Sequence, residues 1–115
     1  MCWNQLGRSI NGEGENDMSG HSVTLSSDGS TVAIGAPENK DNGVSSGHVR
    51  VYKWVGSDWS KMGQDIDGRN AGDEAGYAIA LNADGTILVV GSPYHGGIFY
   101  GPGMVQAYQW NDYSY

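Results

Sequence analysis

The chain has 115 residues with 19 glycines, a net charge of −7 and a pI near 4.5. Glycine at more than twice its usual share of about 7%, with no period of three and no proline-rich tract, excludes a helical or collagenous protein and points to turns joining many short strands. Six basic residues scattered singly from Arg8 to Arg69 build no phosphate-binding face, and no apolar run, 87–90 included, comes near the roughly 18 to 20 residues of a membrane helix.

Taken from the N-terminus, strand signals fall at 3–10, 22–26, 31–35, 48–54, 59–66, 77–82, 86–91 and 104–110, each bounded by turn residues as in a meandering antiparallel sheet. The series repeats at an offset of 56 residues. Fifteen identities keep that offset without a gap, among them Trp3/Trp59, Gly7/Gly63, Asp17/Asp73, Leu25/Leu81, Gly35/Gly91, Pro37/Pro93, Tyr52/Tyr108 and Trp54/Trp110. Most are glycine, proline, Asp-Gly or aromatic, whose backbone or packing roles are hard to replace, so the repeat is one of architecture. Asp28-Gly29 and Asp84-Gly85 mark tight hairpin loops: the aspartate bonds its own backbone and the glycine takes a positive φ. Asp17 and Asp73, each three residues before a glycine, are read as structural turn residues.

Alternation along the strands shows how the sheets pack. In 48–54 one face carries Val49 and Val51 and the other Tyr52 and Trp54; in 104–110 the faces carry Val105 and Ala107 against Tyr108 and Trp110. Both faces of each sheet have something to bury, and the second strands, 32–34 and 87–90, are continuously apolar. Four-stranded units stacked with small aliphatics of one against large aromatics of the next describe β-propeller blades, one over 1–58 and one over 59–115, with Trp3, Tyr52, Trp54, Trp59, Tyr108 and Trp110 packing between them. A two-sheet sandwich is the alternative.

The stretches SGHSVTLSSDGSTVAIGAP with GHVRVYKW, and GYAIALNADGTILVVGSP with GMVQAYQW, resemble the FG-GAP repeats of integrin α-chain propellers. They are more similar still to the variant in secreted or surface proteins of algae and marine bacteria, whose blades open with W-x-Q-L-G-x-x-I-x-G, here 3–12 and 59–68. The resemblance implies a blade fold, an adhesive or scaffolding role and an extracellular or cell-surface location. The chain departs from the family in two places. Its calcium loop is reduced to Asp28-Gly29 and Asp84-Gly85, one carboxylate each where calcium takes six to eight oxygens, and its Phe-Gly pair is replaced by Gly20-His21 and Gly76-Tyr77.

The usual signatures of catalysis, G-x-S-x-G, H-E-x-x-H and G-x-x-x-x-G-K, are missing from the sequence, so the chain reads as a non-enzyme. His21 and His48, at strand starts, read as half-exposed packing residues. The acidic turns Glu13, Glu15 and Asp17, then Glu38, Asn39, Asp41 and Asn42, then Asp65, Asp67, Asp73 and Glu74 fit no EF-hand register and read as solvated. No cofactor is expected, with calcium at most a weak stabiliser. Cys2, the single cysteine, allows neither an internal disulfide nor a cysteine zinc site, and the residues after Met1 lack the regions of an export signal.

The loop after Pro93 differs most from its copy. Tyr94, His95, Phe99 and Tyr100, with Tyr113 and Tyr115 near the C-terminus, are costly to leave in water and are the candidate interaction residues, for protein or sugar. The reading is an all-β structural or adhesive protein that self-associates or joins neighbouring blades of a longer chain, as a ring, a filament or part of a larger propeller. A carbohydrate-binding module using residues 94–100 and an enzyme with a site shared between blades are the alternatives. No nucleic acid and no membrane span are expected.

Overall fold

The computed structural model describes residues 1–96 and 101–111, and among them all regular structure is strand. The elements are β1 (Ser22–Leu25), β2 (Thr31–Ala36), β3 (His48–Trp54), β4 (Trp59–Lys61), β5 (Ile66–Asp67), β6 (Ala78–Leu81), β7 (Ile87–Ser92) and β8 (Met104–Gln109). They form two antiparallel sheets, β1-β2-β3-β4 with β5 also on β3, and β6-β7-β8. Each sheet is a meander of consecutive strands, as the short turn-rich connections dictate.

The hairpin loops follow their sequence. Asp28 accepts the Ser30 backbone N–H at 3.0 Å and the Ser26 and Ser30 hydroxyls, while Gly29 sits at φ 75°. Asp84 accepts the Thr86 N–H and hydroxyl, and Gly85 also sits at φ 75°. These bonds, led by the Ser30 N–H, hold the Asp28 carboxyl down to about 2; the Thr86 hydroxyl and N–H lower Asp84 in the same way.

The sheets pack face on face. Ala33, Val49 and Val51 of the first meet Ile79, Leu81, Leu88, Val90 and Tyr108 of the second, with Ala75 of the crossover between them. Full burial of Val49, Leu88 and Val90 contributes about 1.5 to 3 kcal/mol each. Gly35 lets the backbones close: a Cβ there would strike the Gly76 carbonyl. The loops lock too, Ser27 N–H donating to the Ala83 carbonyl at 2.9 Å and the Ser22 hydroxyl to the Gly76 carbonyl at 2.7 Å. Away from this seam the sheets splay around a cleft of about 200 Å³ lined by Val51, Met62, Ile66, Leu81, Tyr108 and Trp110.

Two expected strands differ in the structure. The 59–66 signal divides into β4 and β5, which pair with opposite ends of β3, at Tyr52 to Trp54 and at His48 and Val49. The 3–10 segment forms no strand, although its copy at 59–61 pairs with β3. Instead it lies on the first sheet: Trp59 Nε1 donates to the Leu6 carbonyl, and Arg8 donates through its backbone N–H and Nε to Asp58. Trp3, expected to pack between units, is consequently fully exposed.

Candidate functional site

The densest gathering of ligating groups lies at the start of β3. Gly47, at φ 80°, turns the chain into that strand beneath Ala75, where a side chain would strike the crossover backbone. His48 follows, wholly buried, on the face of β3 that also bears Arg50, Tyr52 and Trp54. Its register partner is Asp67 of β5, with Asp65 two residues earlier. The β2–β3 loop brings Asp41, and the segment before β1 brings Glu13.

Carboxylate oxygens of Asp41 and Asp65 each lie 3.6 Å from His48 Nδ1, Glu13 at 3.8 Å and Asp67 at 3.9 Å. Neither ring nitrogen of His48 makes a hydrogen bond, a costly condition for a buried imidazole. Lys61 is ion-paired to Asp65, which raises its pKa. Burial, then the charges of Asp41 and Asp65, push the Asp67 carboxyl up. Ligand atoms of Glu13, Asp41, His48 and Asp65 all lie within 4.8 Å of one another, a set that could hold a metal ion.

The expectation of half-exposed packing histidines therefore fails at His48, while His21 does pack its ring at the surface. His48 is sealed beneath three turns, whereas His21 is exposed, its ring 4.6 Å from that of Tyr77. The acidic turns do not all stand apart in solvent either, because the meander folds residues far apart in sequence onto one strand end. A sequence signal existed in the repeat itself. The 56-residue counterparts of Glu13, Asp41, His48 and Asp65 are Arg69, Gly97, Met104 and Ser9, so the departures from the repeat converge on one point.

Asp17 and Asp73 are buried structural residues. Asp17 accepts the Asn39 side-chain amide at 2.8 Å, and Asp73 contacts His95 Nδ1 at the same distance and accepts the Asn70 N–H. Asn39 and His95 are themselves 56 apart, so the two copies make the same contact with different donors. This occupies His95 as an internal partner of Asp73. Tyr94 is half-buried and meets Tyr77 edge-on at 6.2 Å between ring centres. Phe99, Tyr100, Tyr113 and Tyr115 lie outside the described residues.

Tyr52, Tyr108, Trp54 and Trp59 are half-buried, the last two in edge contact at 5.2 Å, and Trp110 is 41% exposed. Gly7 and Gly63 sit under the rings of Trp54 and Trp110, where a Cβ would come within 2.9 and 3.0 Å. Compared with protein-family models and with curated proteins, the chain matches none.

Proposed function

We propose that this is a non-catalytic structural or adhesive protein whose sheets are β-propeller blades, completed by further blades from a second copy or a neighbouring stretch of a longer chain. The observation that carries the reading is that the two open faces are copies of the two faces already packed together. The face of the second sheet that looks outward bears Ala78, Ala80, Ile87, Val89, Val105 and Ala107. Its counterparts in the first sheet include Ala33, Val49 and Val51, all in the core.

The outward face of the first sheet bears Val23, Leu25, Val32 and Tyr52, counterparts of core-packed Ile79, Leu81, Leu88 and Tyr108. Val105 at 71% exposure, Val23 at 59% and Leu25 at 57% are apolar groups waiting for a partner that the intrachain seam already shows in outline. A closed sandwich would spend its two apolar faces on each other, whereas here each added unit presents a fresh face, the condition for a ring or filament. The 3–10 segment supports the same geometry: Gly7 lies on Trp54 as Gly63 lies on Trp110, in the place a preceding blade's outer strand would take.

The resemblance to FG-GAP repeats supports a location outside the cell or on its surface as part of this reading. Calcium belongs to this reading only as a weak stabiliser, since the candidate ion cluster found among the described residues has an imidazole where calcium takes oxygen ligands. The contacts of His95 with Asp73 and of Tyr94 with Tyr77 give these two residues internal roles, which favours the structural reading over a carbohydrate module. The test is sedimentation at micromolar concentration: the chain should run as a multiple of 12.2 kDa, and Val105→Asp should reduce it toward single chains with its circular dichroism unchanged. A monodisperse single chain for the unaltered protein would overturn the proposal.

A further inference from the structure

We propose that Glu13, Asp41, His48 and Asp65 bind one divalent metal ion of the borderline class, zinc foremost, through His48 Nδ1 and three carboxylate oxygens. Two independent observations meet here. One is the acidic cluster drawn from three separate turns. The other is a buried side chain aimed into it, with Nδ1 facing four carboxylates and bonded to none of them.

The spacing suits an ion. Four ligands at about 2.1 Å around a tetrahedral centre stand about 3.4 Å apart, and the three ligating carboxylates lie 3.6 to 3.8 Å from Nδ1. The four ligand atoms lie within 4.8 Å of one another, so movement of the turn side chains toward a common centre closes the shell. Asp67, at 3.9 Å, is placed to orient the group or to add a fifth ligand, the fourth oxygen.

The chemistry separates this ion from calcium and magnesium, which take oxygen shells, because a neutral imidazole nitrogen is at the centre of the set. It also separates it from a simple imidazolium pair, which would show at least one N–H···O bond of ordinary length. Four carboxylates against the single charge of Lys61 leave an excess of negative charge that a dication offsets. The counterparts in the second copy supply no comparable set, so the stoichiometry is one ion per chain. Its structural effect is to pin the segment before β1, the β2–β3 loop and the β4–β5 link to the head of β3.

The experiment is calorimetric titration of Zn²⁺ into the chelator-treated full chain carrying Cys2→Ser, so that the exposed thiol does not compete. One ion per chain is expected. Asp41→Asn and Glu13→Gln, both at exposed positions, should each weaken binding at least tenfold, and millimolar Ca²⁺ should fail to displace the ion. Zinc should also shift the His48 ring nitrogen resonances, a readout that avoids a buried substitution at His48. Absence of Zn²⁺ binding, undiminished affinity in both variants, equal competition by Ca²⁺, or an unmoved His48 signal would each overturn the proposal.

Discussion

Gly35 and Gly91 occupy the same position in the two sheets and live in different surroundings. A Cβ on Gly35 would collide with Gly76 of the neighbouring sheet, whereas one on Gly91 would meet nothing nearer than the Ala78 carbonyl at 3.4 Å, an ordinary contact. Neither has a positive φ, so conformation alone requires glycine at neither position. Within this chain, close approach explains one glycine and leaves the other without a reason. If another unit docks on the second sheet as the second docks on the first, Gly91 faces the counterpart of Gly76, which is Gly20, where a side chain would meet nothing within 4 Å in the single chain.

The largest expected effect sharpens that contrast. Gly35→Ala should destabilise the chain by about 3 kcal/mol or more, since backbone must move to admit the methyl group. Gly91→Ala should leave single-chain stability within about 1 kcal/mol and instead lower the association measured by sedimentation. Thermal denaturation of both variants, at a concentration where chains are dissociated, separates the terms; equal losses would show that the two positions are equivalent after all.

Next in size is the pair Leu88 and Val32. Leu88 is 5% exposed in the core and Val32 half-buried on the outward face. Leu88→Ala should cost about 2 to 4 kcal/mol and Val32→Ala under about 1 kcal/mol in the isolated chain. Urea titration checks both, and a Val32→Ala loss that grows with protein concentration would show burial of that face by association.

The smallest effect lies where the two copies touch through their loops. Burial, together with a hydrogen bond and charge from Glu38, pushes the Glu74 carboxyl up to about 7 from an ordinary 4.5. The folded chain thus holds more protons than the unfolded one between those values, and stability from this group falls as pH rises through that window. Glu74→Gln should remove that part of the slope, so the variant's melting temperature should gain on the wild type from pH 4.5 to 7. A constant difference across the window would dissociate Glu74 from the effect. Met18, the counterpart of Glu74, places no such group in the first copy.

Asp17 with Asn39, and Asp73 with His95, show the repeat conserving a contact while changing its chemistry. The start of β3 shows the opposite, the same backbone carrying His48 in one copy and Met104 in the other. Such differences are visible in a self-comparison of the sequence, but their meeting in space is not. Asp41 and Asp65 are 24 residues apart and Glu13 and His48 are 35 apart; the pairing of β5 with the head of β3 brings Asp65 to His48, while Asp41 arrives on the β2–β3 loop and Glu13 on the segment before β1.

Local chemistry determined much of this protein. Glycine and Asp-Gly turns, period-two alternation and the 56-residue offset specify strands, hairpins and two units of like design, because turn geometry and side-chain direction depend on residues close in the chain. Which face each sheet buries, why 3–10 stays unpaired while 59–61 pairs, and why His48 lies sealed among carboxylates were decided by tertiary structure. Those outcomes depend on what is available to pack or pair across the fold, and hydrogen bonding and burial take their partners from whichever strand lies alongside, however distant in sequence.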